Sequence, residues 1–374
     1  MSKSQGFTER QRLTRIASGL AMLTYVCLHL SNHALGIWSL DLMEAAQPYT
    51  VEIFRTLPGT IFLAGAFTIH FSLAIWSLHL KRRFVMPLWE STQMALGFTI
   101  PLLLVHHVIS VRIMYSMFAT DVGYSYVLWA MGLDPWTYLT QTALLLVAWT
   151  HGCIGIHYWL RIRPWYPSVA RALSIVAVVL PLLALIGFLH AIQEVDRLDM
   201  DPQWHRAFVA NASVPGEAGL AALSDLHVYS YAGLGLIVAG MMMARLLRRF
   251  LERRSGIVQV HFPGPLVVPS APGPTLLEIA RAAGLPHASV CGGRCRCSTC
   301  RVRIGQGLSS LPPPAADEAR VLARIGAPAP PSGSPVSVVR RPTSMSPRYS
   351  RRRPACRKCA TSSTTIRVVK WRSC

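Results

Sequence analysis

The stretch Ser289-Val290-Cys291-Gly292-Gly293-Arg294-Cys295-Arg296-Cys297-Ser298-Thr299-Cys300-Arg301-Val302 decides how the last third of the chain is read. Cys291, Cys297 and Cys300 stand in a C-x5-C-x2-C pattern. Gly292 and Gly293 let the backbone curl so that several thiolates and amide N–H groups converge on one point. Soft sulfur donors delocalise the charge of iron and backbone N–H groups tune its potential, so the spacing reads as an iron–sulfur loop. A zinc site would pair two short cysteine clips across a longer spacer. The other clip here, Cys356-Arg357-Lys358-Cys359, falls in a stretch without apolar periodicity.

The loop resembles the [2Fe–2S] segment of adrenodoxin-like ferredoxins. That resemblance implies a cluster held by Cys291, Cys297 and Cys300, with a fourth cysteine arriving from further along the chain. Outward from the loop, 256–262 and 265–269 alternate like two hairpin strands, 275–283 has helical spacing, 301–304 returns to strand and 317–325 suggests a second helix. A β-grasp domain then needs a late strand and a fourth ligand, and neither is legible. From about Pro330 the sequence turns to Pro, Ser, Thr and Arg, with no Asp or Glu in 331–374. Such a segment buries too little surface to offset chain entropy and is expected to be disordered. The abrupt change is what an out-of-frame translation of a GC-rich gene would produce. Cys295, Cys356 and Cys359 are the substitute ligands that come into question.

With 374 residues, 52% hydrophobic and only 14% charged, the chain is too apolar for an ordinary soluble enzyme. Six apolar runs of spanning length are read at 16–38, 57–80, 92–116, 137–160, 170–192 and 223–246. The first run is longer than the apolar core of a cleavable signal and lacks a small-x-small exit, so it is expected to stay as a span. The fold expected is mainly α: a six-helix transmembrane bundle, then a small, incomplete α+β β-grasp ferredoxin-like domain, then a disordered tail. The divisions are 1–15 cytoplasmic, 16–246 membrane domain, 247–255 basic linker, 256–330 ferredoxin-like and 331–374 tail.

Charge gives the topology. Arg10, Arg12 and Arg15, then Lys81, Arg82 and Arg83, then Arg161 and Arg163, then Arg248, Arg249, Arg253 and Arg254 fall on one side of the spans. Asp41 and Glu44, Asp121 and Asp134, and Glu194, Asp196, Asp199 and Asp201 fall on the other. The asymmetry predicts a bacterial inner-membrane protein with both termini cytoplasmic. The formal net charge of +20 does not point to nucleic acid, because eleven Lys and Arg lie in 331–374 and much of the remaining +9 lies in short loops. The nine cysteines form no disulfide framework, which fits a reducing compartment. The C-x-x-C-H signature is absent, so any haem is expected to be non-covalent.

Histidines inside the spans are the second signal, since ionisable groups at membrane depth are usually functional. At about 1.5 Å per residue, His29 and His107 lie roughly 20 Å above the cytoplasmic edge, and His70 and His151 roughly 10 Å above it. Two histidines at each of two levels suit two bis-histidine haems, because neutral imidazole ligates iron without bringing net charge into the bilayer. Polar side chains also glue membrane helices together, which is the plainer reading of any single histidine. His33 lies one turn above His29 and could replace it. His106 and His107 point about 100° apart, so one of them faces inward. His79 and His157 read as interfacial, and His190, His205 and His227 as solvated.

The segments His29-Leu30-Ser31-Asn32-His33, Ile69-His70-Phe71, His107-Val108-Ile109-Ser110-Val111-Arg112 and His151-Gly152 resemble the di-haem cytochrome b anchors of succinate dehydrogenase and fumarate reductase. The resemblance implies haem b at His29, His70, His107 and His151. The module order resembles the N-terminal part of bacterial class III adenylate cyclases, in which a catalytic domain follows. That domain needs two aspartates for its metals, and no aspartate occurs after Asp317. The function expected is a membrane electron-transfer or redox-sensing module, the regulatory front half of a cyclase. The other reading is a structural anchor for a soluble effector, without haem. The partners expected are a lipid bilayer, a redox partner or quinone, and a second copy of the chain as a homodimer.

Overall fold

The computed structural model describes residues 3–81, 85–254, 256–271, 273–293, 295–308, 311, 313–314, 316–326, 336–338 and 364–371. It divides into two compact units. One comprises Arg12–Ala74 and Leu88–Ala239, the other Met1–Gln11, Ile75–Pro87 and Gly240–Cys374.

The helices are α1 (Lys3–Leu35), α2 (Leu40–Thr50), α3 (Leu57–Leu80), α4 (Leu88–Val108), α5 (Met114–Phe118), α6 (Tyr124–Gly132), α7 (Pro135–Leu160), α8 (Tyr166–Asp199), α9 (Pro202–Asn211) and α10 (Glu217–Arg253). Among the described residues six helical stretches are long and apolar enough to cross a membrane: Arg10–Leu35, Leu57–Leu80, Leu88–Phe118, Pro135–Leu160, Tyr166–Asp199 and Glu217–Glu252. The second matches the expected 57–80 at both ends. Most of the others run past the expected bounds, because hydropathy marks only the apolar middle while backbone hydrogen bonding continues into polar caps. Asp134 accepts from the Trp136 N–H at 3.1 Å with Pro135 at the first helical position, and Asp201 with Pro202 starts α9 in the same way. Large apolar side chains such as Leu57, Phe62, Ile186 and Leu236 face outward, the surface that lipid tails would cover.

Two glycines allow a close helix crossing in the first unit. A Cβ on Gly187 of α8 would sit 2.1 Å from the His33 carbonyl oxygen, and one on Gly36, just past α1, would sit 2.5 Å from the Gly187 carbonyl oxygen. Small residues at such points let backbones meet. Beneath α4, residues Ile109–Ile113 form a π-helical turn that shifts the register between His107 and α5. Turns of this kind recur at functional sites.

In the second unit, the basic end of α10 caps α3. Arg245 donates to the Leu78 carbonyl, and Arg248 to the carbonyls of His79 and, at 3.2 Å, Lys81. Those carbonyls are among the last of a helix, which lack intrahelical partners and attract cations. The expected basic linker 247–255 is therefore corrected: through Arg253 it is helix.

Beyond it, β1 (Val258–His261), β2 (Val267–Ser270), α11 (Leu276–Ala282), β3 (Val302–Gln306), α12 (Ala316–Arg324), β4 (Val336–Val338) and β5 (Thr364–Trp371) build one sheet in the order β2-β1-β5-β3-β4. β1 and β2 form the antiparallel hairpin, with Val260 opposite Val268. Thr275 caps α11 in a reciprocal box with Glu278, accepting from its N–H at 3.0 Å while Glu278 accepts from the Thr275 N–H at 2.9 Å. Val260, Ile279 and Ile304 meet in the core.

The expectation that 331–374 is disordered and supplies no late strand is overturned for its described residues. β5 lies between β1, parallel to it, and β3, antiparallel to it. Ile366 and Val368 alternate with outward-facing Thr365 and Arg367, and burying those two apolar side chains gives this short strand its place at the centre. Cys356 and Cys359 lie outside the described residues.

Candidate functional site

The cysteine loop hangs between α11 and β3, both fixed in the sheet's core. Its curl follows from left-handed backbone at Gly292 (φ +67°) and Gly293 (φ +79°). Side-chain and backbone bonds hold the rest. Thr299 Oγ1 accepts from the Val290 N–H at 3.0 Å and lies 3.1 Å from Cys297 Sγ. Arg281 donates to Ser289 Oγ at 2.5 Å, and Arg324 of α12 donates to the Arg296 carbonyl at 3.0 Å. Thus the second helix, legible from sequence, closes over the loop.

Cys291 Sγ and Cys297 Sγ stand 3.2 Å apart as free thiols. Two thiolates on one tetrahedral metal, with bonds of about 2.3 Å, stand a little under 4 Å apart, so this pair would part by about half an ångström to hold a single iron. Cys300 is buried, and the Cys291 charge reaches it. Among the described residues no three His, Cys, Asp or Glu already gather as a metal-binding group. Cys291, Cys297 and Cys300 are three of the four thiols that a [2Fe–2S] cluster takes. The thiols are hard to ionise without metal: the hydrogen bond to Cys291, then burial, pushes Cys297 up, and burial followed by the Cys291 charge pushes Cys300 up to about 11. A cation is what makes such thiols give up their protons. Cys295, the other candidate within the loop, holds a left-handed backbone at φ +50°.

In the helical unit, the rings of His70 and His151 have centres 6.4 Å apart with planes at 81°, and those of His29 and His107 have centres 6.0 Å apart at 69°. The Nδ1–H groups turn to acceptors: His70 to the Arg15 carbonyl at 3.1 Å, His151 to the Gln93 carbonyl at 3.0 Å, His107 to Gln141 Oε1 at 2.9 Å. A proton fixed on Nδ1 leaves Nε2 with its lone pair, the state a metal-ligating histidine needs. Gly19 and Gly97 make room, since a Cβ there would lie 3.0 Å from His70 Cε1 and 2.8 Å from His151 Cε1. His33 contacts His29 through Nε2 at 3.2 Å, while His106 turns away from His107 towards His227, with ring centres 5.2 Å apart. The solvated reading of His227 is corrected: its Nδ1–H donates to the Leu223 carbonyl and its Nε2 is buried. His190 likewise donates to the Gly36 carbonyl at 2.8 Å. Arg55, Gln141 and the two glycines carried no motif and were not singled out from sequence.

Comparison with known proteins bears on the cysteine loop. Residues 263–324 match the family of 2Fe-2S iron-sulfur cluster binding domains. A curated 2Fe-2S ferredoxin of Haemophilus influenzae is 43% identical over 49 residues, which are 13% of this chain and 43% of that protein's length. The chain thus spans under half of that relative. No solved structure matches. The C-terminal part of the chain carries a 2Fe-2S ferredoxin domain.

Proposed function

We propose that the chain is a membrane electron-transfer module in which the helical unit holds two b haems, each between two histidines, and the ferredoxin domain holds a [2Fe–2S] cluster. His70 and His151 ligate one haem, His29 and His107 the other. The observation that carries this reading is the ring spacing. A metal–imidazole bond of about 2.0–2.1 Å on each side, with about 1.1 Å from nitrogen to ring centre, puts the two ring centres about 6.3 Å apart. The two pairs stand at 6.4 Å and 6.0 Å.

Haem, when bound, supplies a one-electron carrier in an apolar medium. The protein's own residues do the rest. The carbonyls of Arg15 and Gln93 and the side chain of Gln141 hold protons on Nδ1 and orient the imidazoles. Gly19 and Gly97 leave room for the edges of the His70 and His151 rings. In the ferredoxin domain, Cys291 and Cys297 hold one iron, Cys300 contributes to the other, and Thr299 fixes the loop.

The chain is placed in a bacterial inner membrane with both termini cytoplasmic, supported by the alternation of basic and acidic loops. A quinone or small redox carrier is the exchange partner, and regulation of a nucleotidyl cyclase is the output implied by the resemblance of the module order. The anchor reading has one observation in its favour: His29 Nε2 is engaged by His33 at 3.2 Å, as in helix glue. A dithionite-minus-oxidised difference spectrum of the purified protein decides. Two overlapping b-type bands are expected, and a flat spectrum in the b region leaves the anchor reading.

A further inference from the structure

In the helical unit, two arginines approach one tyrosine ring. Arg55, in the turn before α3, has its guanidinium carbon 5.7 Å from the centre of the Tyr115 ring, and Arg112, in the π-helical turn, has its own at 5.8 Å. Cation–π contact stabilises each and holds both guanidinium planes in place. Arg55 follows Phe54, whose ring meets that of Tyr25 at 5.0 Å between centres, and Tyr25 in turn stacks on His29 at 5.6 Å.

The two charges are not matched by two carboxylates. Arg112 donates to Thr60 Oγ1 at 2.9 Å and Ser116 Oγ at 2.8 Å, both neutral, and its Nε–H is buried without an acceptor. Among the described residues no carboxylate lies within ion-pair distance of it. Arg55 donates to the Val122 carbonyl at 2.9 Å and meets half-exposed Glu52 at 3.5 Å. With the Gln47 amide turned to suit, both of its terminal nitrogens also donate to Gln47 Oε1 at 3.0 and 3.1 Å. A half-buried guanidinium with a buried, unused Nε–H and no carboxylate beside it can take an anion, since Arg presents a rigid fork that matches a carboxylate.

We propose that Arg55 and Arg112 bind the two carboxylates of the haem held by His29 and His107. The inference rests on the haem reading above and assigns the end from which that haem is gripped. Haem brings two carboxylates on neighbouring side chains, and the site offers two guanidiniums that both lie within 6 Å of one tyrosine ring. A lipid phosphate would supply one anion from outside the bundle, and it is separated from haem carboxylates by the second arm of the test. Two cations beside this haem favour its reduced form and raise its potential above what neutral side chains would allow.

The test uses the full-length protein in detergent. Arg112→Gln, Arg55→Gln and the double variant are titrated potentiometrically in the b-type region, with Arg112→Lys as the conservative control. The expected result is a fall in the midpoint of one haem only, larger in the double variant and partly restored by Lys. In the second arm, unsubstituted protein is stripped of haem and refilled with haem or with haem dimethyl ester, whose carboxylates are capped. The ester should fill the His70–His151 site and fall short at the other, whereas a lipid occupant predicts equal filling. Full haem content with both midpoints unchanged in the double variant, or equal filling by the ester, overturns the pairing alone. No b-type band in the unsubstituted protein overturns the haem reading and this inference with it.

Discussion

Ile366 of β5 pairs in parallel register with Val260 of β1, and neither side chain has any exposed surface. The middle of the ferredoxin sheet is thus made by the latest strand in the chain, from a segment whose composition gives little sign of order. Removing most of the Ile366 side chain leaves a cavity that the flanking strands β1 and β3 can close only in part. Ile366→Ala is therefore expected to lower the stability of the domain by about 2–5 kcal/mol. Thr365→Ala, on the outward face, should change it by no more than about 0.5 kcal/mol. Pulse proteolysis of the full-length protein across a urea series reads both, and equal midpoints for the two variants would place β5 outside the folded domain.

Gly187 offers a comparable test in the helical unit. A methyl group there would lie 2.1 Å from the His33 carbonyl oxygen, so the crossing of α1 and α8 must open to admit it. Gly187→Ala should lower the thermal midpoint by several degrees and loosen the His29 level. Gly65→Ala, with nothing within 4 Å of the added carbon, should be neutral or stabilising by up to about 1 kcal/mol through helix propensity. Circular dichroism melts in one detergent compare them, and a melt of Gly187→Ala coincident with the parent would contradict the close crossing.

Legibility from sequence followed the strength of the local signal. The six apolar helices were readable because spanning length and hydropathy are properties of contiguous residues, and 57–80 came out residue for residue. The histidine pairs followed from depth counting alone, since two residues at equal rise on neighbouring helices are close wherever the helices pack. The short helices α2, α6 and α9 were not readable, being amphipathic segments of about ten residues set by capping residues such as Ser39 and Asp201. β5 escaped for a different reason. Its two core side chains, Ile366 and Val368, are too few for a periodicity signal, and their burial depends on strands a hundred residues earlier. Arg55 carries no motif, and its place beside Arg112, which ends the His107–Arg112 segment, is visible only through Tyr115, a contact no spacing rule encodes.

The haem pairing is tested by single substitutions. His70→Ala and His151→Ala are each expected to remove the same haem, and His29→Ala and His107→Ala the other, halving the pyridine haemochrome yield in every case. The ring planes cross at 81° and 69°, so the ferric protein should give the highly anisotropic low-spin resonance of crossed imidazoles at both sites. His33→Ala should keep both haems, because His107 faces His29. Loss of the far haem in His33→Ala with retention in His29→Ala would exchange the two residues' roles.

The fourth cluster ligand can be narrowed by strand register. β5 runs from Thr364 to Trp371, and Trp371 pairs with Val302, two residues past Cys300. The end of the sheet beside the cysteine loop is therefore the end at which β5 finishes. Cys359 precedes Thr364 by five residues, a reach of about 17 Å, whereas the length of β5 that it would have to retrace is about 23 Å. Cys356, eight residues before the strand, covers that span only at full extension, about 27 Å. Cys374 follows Trp371 by three residues, about 10 Å, and so starts from the near end. Cys295 sits within the loop but in a left-handed backbone that costs a non-glycine residue about 1–2 kcal/mol. Cys374→Ser is expected to diminish the [2Fe–2S] resonance of the dithionite-reduced protein, while Cys356→Ser and Cys359→Ser leave its spin count intact. Cys295→Gly should keep the resonance and stabilise the loop by relieving that backbone. A signal abolished in Cys295→Gly and unchanged in Cys374→Ser would show that the loop completes its own site.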